Sequence, residues 1–301
     1  MVRLPDGRFQ TVRCEKCLDC LQHRQAGWIS RLHWELKRSP EGCYFVTLTY
    51  DDDHLPTVTV DGERLPTISS ADVIKFHKDL RKRFQQGFYN DFTLQKVGFS
   101  ASPTRIDLDS STKFRYYVTS EYGPQTHRPH LHGFYSSLPD DEDKVYDLFQ
   151  QIWGKGFVSV EKAKSEACAA YVSKYLVNDS LVPYDKRVAK PRAWMSKGIG
   201  SLYLDNDKFI DWHRSAPLEH QYTVVNGQKA ILPRYWRDKI FDDEMKAVVQ
   251  EQCIQREEAH QSWLDSLPDE TLARLRRQEK HRQEEALRQA EWRFRKNGKI
   301  K

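Results

Sequence analysis

Residues 114–135, FRYYVTSEYGPQTHRPHLHGFY, predict a β-hairpin at the centre of the fold. The run that ends at Tyr122 is rich in aromatic and β-branched residues, which are enriched in strands. It stops at Gly123, a residue typical of turns, and a second apolar run begins at His130. The sequence therefore predicts two antiparallel strands joined by a loop of six to seven residues.

Two histidines alternate with a leucine on the second predicted strand. Because side chains alternate faces along a strand, His130 and His132 project from one face while Leu131 packs on the other. Glu121 on the first strand adds a carboxylate to the same face if the register aligns it with His130. Two imidazoles and one carboxylate, with ligand positions left open, suit Mg²⁺ or Mn²⁺ better than a closed zinc site. Packing of the histidines on a sheet without a metal is the alternative.

A second group of reactive side chains follows about forty residues later. The stretch from Ser165 to about Val177 is rich in helix formers, and residues three and four apart share one helix face. This places Tyr171, Lys174 and Tyr175 together. A phenol with an ordinary pKa near 10 needs a polarised phosphate and a nearby positive charge to react at neutral pH. A helix that packs two tyrosines into a core is the alternative interpretation.

Four blocks of sequence, in this order, resemble the replication initiators of small single-stranded DNA phages, the gokushovirus type of microvirus. These initiators are HUH endonucleases, which start rolling-circle replication. The resemblance covers residues 12–241, and we have no mechanism for its last block. The blocks are FVTLTYDD at 45–52, SEYG leading into HRPHLHG at 120–133, YVSKY at 171–175 and LPRYWRDK at 232–239.

The resemblance implies a site-specific single-strand DNA endonuclease and strand transferase. One tyrosine would attack the phosphodiester at the origin, forming a 5′-phosphotyrosine and releasing a 3′ hydroxyl that a host polymerase extends. The second tyrosine would attack the regenerated origin, and the displaced strand would be rejoined into a circle. Tyr171 begins the Tyr-x-x-Lys pattern of single-tyrosine relatives and is expected to attack first, while the reverse order and alternation remain open.

The predicted fold class is α+β, with an HUH-endonuclease-like antiparallel sheet, helices packed on its faces and a helical basic C-terminal extension. Apolar residues at helical spacing predict one helix from Ser69 to about residue 86 and another from about Asp143 to Trp153. The expected divisions are a Cys-rich segment with a helix at 1–40, the endonuclease domain at 41–241 and the extension at 242–301. Within the domain, residues 87–113 are predicted to be an insertion or a long loop.

Charge is unevenly distributed along the 301 residues, although the net charge is only +5. Residues 271–301 hold 11 Lys and Arg against 4 Asp and Glu. A solvated or partly disordered helix is one interpretation of this tail, and a grip on DNA phosphates is the other. No apolar run is long enough to cross a membrane and the first residues lack a signal-peptide core, so we expect the cytoplasm of the infected bacterium.

Basic residues outside the tail are expected to contact DNA. Arg128 lies in the predicted hairpin loop, beside the proposed metal ligands. Lys78, Arg81 and Lys82 lie on the predicted helix that begins near Ser69. The expected partners are single-stranded DNA at the viral origin, the double-stranded replicative form, a host helicase and a host DNA polymerase.

Three of the six cysteines form a Cys-x-x-Cys-x-x-Cys pattern at Cys14, Cys17 and Cys20, and His23 follows at the same interval. Four such ligands can close a structural zinc site. Helix positions three apart progress around the axis, so all four converge only if the first part is a loop or knuckle. Reduced thiols in a cytosol are the competing interpretation. The other cysteines are expected to be packing residues: Cys43, Cys168 and Cys253.

Two other classes of protein remain open. A non-catalytic, zinc-dependent nucleic-acid-binding protein would account for the cysteines and the basic tail, but gives no reason for Tyr171 and Tyr175 to share a helix face. A metal-dependent phosphohydrolase would account for the histidines, but would use water rather than a phenol as its nucleophile. A covalent protein–DNA adduct distinguishes these classes.

Overall fold

The computed structural model describes residues 2–3, 7–10, 12–15, 17–91, 104–110, 113–163 and 183–297. Its strands are β1 Val2–Arg3, β2 Phe9–Gln10, β3 Tyr44–Thr49, β4 Thr57–Val60, β5 Glu63–Pro66, β6 Phe88–Asp91, β7 Thr104–Asp107, β8 Arg115–Tyr122, β9 Pro129–Ser136, β10 Val158–Lys162, β11 Ala193–Met195, β12 Tyr222–Val225 and β13 Gln228–Ile231. Its α-helices are α1 Leu18–Arg38, α2 Ser70–Gln86, α3 Glu142–Trp153, α4 Asp207–Ser215, α5 Arg234–Ile240, α6 Asp243–Asp265 and α7 Asp269–Asn297, and a 3₁₀ turn covers Ser201–Asp205.

Five strands form an antiparallel sheet in the order β10-β3-β9-β8-β11. The predicted hairpin, β8 and β9, lies inside this sheet. Its register sets Glu121 directly opposite His130 and Thr119 directly opposite His132. With helices packed on both faces of the sheet, the predicted α+β class is confirmed.

One face of the sheet forms the main hydrophobic core with α2 and α3. Val46 and Leu131 project into it from the sheet, Phe76 and Leu80 from α2, and Phe149 from α3. Burial of each such side chain contributes about 1.5–3 kcal/mol. Because side chains alternate along β9, the face that buries Leu131 is opposite the face that carries the two histidines.

Helix α2 begins and ends as its sequence predicts. The Ser69 side chain caps it by accepting a hydrogen bond from the Asp72 backbone N–H, at 3.2 Å. Gly87 ends it in a left-handed conformation, with φ of 73°. All five apolar positions at helical spacing are buried: Val73, Phe76, His77, Leu80 and Phe84.

Helix α1 covers half of the other sheet face. Leu32 of α1 is buried against Tyr117 and Phe134 of the central hairpin, and Trp28 packs against the same cluster. This half is the one distant from the β8–β9 loop. Towards the loop, the same face carries Glu121, the two histidines and neighbouring threonines: Thr47, Thr119, Glu121, His130 and His132.

A buried carboxylate connects α1 to the sheet. Glu35 is fully buried and accepts hydrogen bonds from Gly200 N at 2.7 Å and Ser136 Oγ at 3.1 Å. Arg115 Nη1, on β8, donates to it at 3.2 Å. These bonds hold the helix at a defined height above the hairpin.

The chain divides into two compact units. The larger contains residues 15–213 and 221–240, with the five-stranded sheet. The smaller contains residues 1–14, 214–220 and 241–301, and in it Arg8 pairs with Glu251 at 2.8 Å. Among the described helices, none combines the length and the apolar character that a membrane crossing requires.

Two segments outside the central sheet also bear on the predicted organisation. The 87–113 segment contains a two-stranded hairpin of β6 and β7, while residues 92–103 and 111–112 lie outside the described residues. Helix α7 begins at Asp269, directly after Pro268, where the charged tail was predicted to become helical.

Candidate metal centre and DNA-binding face

Glu121 and His132 are in direct contact on the open half of the sheet face. Glu121 Oε1 lies 2.8 Å from His132 Nε2. On its other side, His132 Nδ1 lies 3.1 Å from Thr47 Oγ1 of β3, and the Phe45 ring stacks on the imidazole with centroids 6.0 Å apart. The ring is thus oriented by a strand neighbour while Nε2 points at the carboxylate, an arrangement typical of a metal-ligating histidine and its supporting residue.

His130 completes the group from the position opposite Glu121. Its ring centroid is 6.4 Å from that of His132. Its Nε2 approaches Gly123 so closely that a Cβ there would lie 3.0 Å away, so the glycine leaves room for the ring. Burial lowers the pKa of His130, and the nearby His132 and Arg128 act in the same direction while Glu121 opposes them. The neutral imidazole favoured by burial is the form that binds metals.

The three side chains share a face but do not converge to ligating separations. Among the residues that the structure describes, the group of ligand atoms that all lie within 4.8 Å of one another is formed by three cysteines. Because Glu121 and His132 are in contact, His130 is the member that lies farther out. One carboxylate and two imidazoles, with no thiolate, are a donor set that fits Mn²⁺ or Mg²⁺.

Tyr171, Lys174 and Tyr175 lie outside the described residues, as does the helix predicted to carry them. The described residues nearest to this segment contact the face and the hairpin of the candidate site. Ala163 is buried in the cluster under α1, on the face that bears the histidines. Tyr184 stacks on His127 of the β8–β9 loop, with ring centroids 4.1 Å apart.

The structure does not bring the predicted DNA-binding residues of α2 to the metal-binding face. Lys78, Arg81 and Lys82 lie on a helix that packs against the opposite face of the sheet. Arg81 Nη2 donates instead to Tyr116 OH at 3.3 Å. Helical periodicity shows which side of α2 is apolar, but it does not show which sheet face that side covers.

Arg128 lies in the β8–β9 loop as predicted, and its guanidinium is engaged within the protein. Nη1 donates to the Tyr50 carbonyl at 3.1 Å, and Nη2 pairs with Asp52. These bonds hold the hairpin loop against the segment that follows β3. The structure therefore assigns Arg128 a role in positioning the loop that precedes His130.

Three residues of α1 that the sequence interpretation overlooked lie on the metal-binding side of the sheet. Arg24, Trp28 and Arg31 recur at helical spacing, and Trp28 contacts Tyr117, whose side chain shares a sheet face with Glu121. A basic and aromatic stripe at this spacing was visible in the sequence. Its relation to the histidines was not, because it depends on how α1 packs on the sheet.

The LPRYWRDK block, for which the sequence suggested no role, anchors α5 against α1 and the 3₁₀ turn. Trp236 is fully buried, donates from Nε1 to the Gly200 carbonyl at 2.9 Å and stacks on Tyr203. The adjacent Tyr235 ring lies 4.5 Å from the guanidinium of Arg31. The block therefore stabilises the helix layer above the candidate site.

The first three cysteines of the chain lie together at the start of α1. Cys17 is the N-cap of this helix, so Cys14 and Cys17 precede it and Cys20 lies in its first turn. Their sulfur atoms all lie within 4.8 Å of one another, and none of the three is in a disulfide. His23, one turn further along, is not in this group.

The remaining cysteines are dispersed. Cys43 is 1% exposed and packs in the cluster under α1, and Cys253 is half-buried. Cys168 lies outside the described residues.

Comparison with known proteins places this geometry in context. Residues 43–180, which include the central hairpin and the histidines, match the model of a family described as Replication-associated protein, of the ORF2 and gene 2 protein type. The chain resembles phage replication-associated proteins. It is 27% identical over 285 residues to Replication-associated protein ORF2 of Spiroplasma virus 4, covering 86% of this chain and 81% of that protein. It is 25% identical over 241 residues to Replication-associated protein VP4 of Bdellovibrio phage phiMH2K, covering 75% and 66%.

A solved structure also aligns with part of the chain. It is the N-terminal nuclease domain of Minute virus of mice non-structural protein-1, described with Zn²⁺ coordination in its active-site pocket and DNA recognition at the origin of replication. The alignment covers 62% of this chain and 83% of that domain, at 9% identity and a TM-score of 0.19. A similarity at this level does not define a shared fold.

Proposed function

We propose that this replication-associated protein is a rolling-circle initiator of the HUH type, which nicks one DNA strand at a viral origin and later rejoins the displaced strand into a circle. The observation that carries the proposal is the contact between Glu121 and His132, with His130 on the same open face, inside the segment that matches the Replication-associated family. Single-stranded origin DNA is the proposed substrate, and the double-stranded replicative form is the proposed template.

The proposed metal ligands are Glu121, His130 and His132. A bound Mg²⁺ or Mn²⁺ would polarise the scissile phosphate. Thr47 holds the His132 ring so that Nε2 faces the site, and burial keeps His130 neutral. The sheet thereby supplies a fixed pair of ligands, and a change in the His130 rotamer supplies the third.

The proposed nucleophile is the hydroxyl of Tyr171, with Tyr175 acting in the second transfer. The phenolic oxygen forms a bond to phosphorus and the bond from phosphorus to the 3′ oxygen breaks. The phenol proton is lost and the 3′ oxygen leaves as a hydroxyl. The charge of Lys174 stabilises the negative charge that develops. Because one phosphodiester replaces another at each transfer, rejoining needs no ATP.

Two described contacts support this assignment. Ala163 lies on the face of the histidines and Tyr184 lies against the β8–β9 loop, so the chain enters and leaves the tyrosine segment beside the proposed site. A host helicase and a host DNA polymerase are the proposed partners, because the nick provides a 3′ hydroxyl for extension. The proposed location is the cytoplasm of the infected bacterium.

A covalent adduct tests the proposal. Wild-type protein, incubated with single-stranded origin oligonucleotide and Mn²⁺, is expected to give a DNA-linked band on a denaturing gel. The Tyr171→Phe, Tyr175→Phe double variant is expected to give none. Tyr146→Phe, which alters an exposed tyrosine of α3, is the matched control and should behave as wild type.

The other outcomes discriminate between the remaining classes of protein. Cleavage without a linked band would replace the proposal by a metal-dependent phosphohydrolase. Tight binding without cleavage, in the presence of either metal, would replace it by a non-catalytic nucleic-acid-binding protein.

We also propose that Cys14, Cys17 and Cys20 bind a structural zinc ion, with His23 as the fourth ligand after a side-chain rotation. Three clustered thiols at a helix start are the observation that favours it. Protein purified under reducing conditions is expected to contain about one zinc per chain, because three thiolates and one imidazole complete a tetrahedral site. Cys17→Ser should lose that zinc, while the matched control Cys253→Ser should keep it. Equal metal contents in the two variants would refute the site.

A further inference from the structure

Arg31 of α1 is held between two aromatic rings. Its guanidinium carbon lies 4.1 Å from the centroid of Trp28 and 4.5 Å from that of Tyr235. Its Nε donates to the Ile199 carbonyl at 3.0 Å. Gly200, with φ of 74°, lets the chain pass this close, because a Cβ there would lie 2.7 Å from the Arg31 carbonyl oxygen. The rings and the Nε bond therefore fix the plane of the guanidinium.

The η nitrogens of Arg31 have no carboxylate partner in the described chain. Glu35, one helical turn away, directs its oxygens to Gly200, Ser136 and Arg115 instead. Burial lowers the pKa of Arg31 to about 10, so the site is costly for a cation that lacks a counter-ion. A fixed guanidinium with unused donors matches the geometry of a phosphate oxygen pair.

The position of Arg31 places these donors on the side of the sheet that bears the candidate metal ligands. Trp28, which supports Arg31, has its ring centroid 4.4 Å from that of Tyr117. Tyr117 is paired with Phe134, two residues and about 7 Å along β9 from His132. Arg24, one turn before Trp28, is 43% exposed and adds a second positive charge to this edge of α1.

We propose that Arg31, assisted by Arg24, binds a backbone phosphate of the single DNA strand that occupies the metal-binding face. This inference rests on the proposed function for the identity of the strand. Trp28 and Tyr235 act as positioning residues, since they orient the guanidinium rather than stack on bases. The phosphate bound by Arg31 is not the scissile one, because the strand separation puts it beyond the reach of Glu121 and the histidines.

Binding to a labelled single-stranded oligonucleotide, followed by fluorescence anisotropy at several salt concentrations in EDTA, tests this inference without any nicking. Arg31→Gln is expected to bind about tenfold more weakly at 0.1 M salt, a value typical of one lost charged hydrogen-bond pair. The slope of log affinity against log salt should fall by about 0.7, the contribution of one phosphate on a single strand.

Arg105→Gln is the matched control. Arg105 also lies over an aromatic ring, that of Phe88 at 4.2 Å, but it pairs with Asp107 and belongs to the β6–β7 hairpin. It should bind DNA with wild-type affinity and slope. A wild-type result for Arg31→Gln, or an equal loss in both variants, would overturn the inference.

Arg31→Lys keeps the test decisive if the glutamine variant does not fold. Lysine retains the charge but not the two-pronged donor, so we expect an unchanged salt slope with weaker affinity. Wild-type affinity in a folded Arg31→Lys protein would refute the phosphate fork. Failure of the proposed function has a different signature: no adduct from wild-type protein, whatever the binding of the Arg31 variants.

Discussion

His132 acquires its orientation from residues on both neighbouring strands. Thr47 approaches Nδ1 from β3, Glu121 approaches Nε2 from β8 and Phe45 stacks on the ring. None of these three is adjacent to His132 in sequence. Strand alternation alone predicted that His130, His132 and Glu121 share a face, and the register confirms it. The contact with Thr47 could not be predicted, because it depends on β3 pairing with β9.

Removal of one proposed metal ligand is predicted to separate cleavage from binding. We expect His130→Ala to lower the nicking rate by at least about 100-fold, because the polarising cation loses a ligand. DNA affinity should be largely kept, because backbone phosphate contacts outside the site supply most of it. Nicking and anisotropy assays on the same preparations measure both quantities.

The control for this prediction is His54→Ala, an exposed histidine that pairs with Asp51. It should nick at the wild-type rate. If His130→Ala nicked as fast as His54→Ala, His130 would be removed from the site.

At the level of elements, helix boundaries followed local chemistry while helix placement did not. Ser69 and Gly87 delimit α2 through hydrogen bonds and backbone conformation that involve only nearby residues. Whether α2 or α1 covers the histidine face depends on contacts such as that of Glu35 with Gly200, far apart in sequence. The predicted DNA-binding role of α2 lacked that information.

Removal of the Glu35 carboxylate is predicted to destabilise the layer that carries Arg31. Glu35→Ala leaves Arg115 and Gly200 N without their buried acceptor, so we expect the free energy of unfolding to fall by about 3–5 kcal/mol. Denaturant titration measures this change. The exposed Glu41→Ala variant should change it by less than about 0.5 kcal/mol, and equal effects would contradict the assigned role.

For the whole molecule, a buried neutral histidine makes stability dependent on pH. His77 of α2 has Nδ1 2.7 Å from the Val73 carbonyl and Nε2 3.0 Å from Tyr135 OH. Burial lowers the pKa of His77 to about 3. The unfolded chain therefore takes up a proton below about pH 6.5 that the folded chain does not, and stability falls as pH decreases towards 3.

We predict that this residue contributes up to about 1.4 kcal/mol of lost stability per pH unit between about pH 6.5 and 3. Denaturant titrations at pH 7, 6 and 5 measure the slope. His77→Gln cannot titrate, so its stability should depend less steeply on pH than that of wild type. Identical slopes would show that His77 is not the responsible group.

Local sequence determined the hairpin, the common face of its histidines and the limits of α2, because these depend on residue alternation, turn residues and caps. The tertiary structure decided the contacts of His132, the face on which α1 lies and the clamping of Arg31 between Trp28 and Tyr235. The physical reason is distance along the chain: these contacts join residues from separate elements, and only packing of the complete core selects among the arrangements that each local pattern permits.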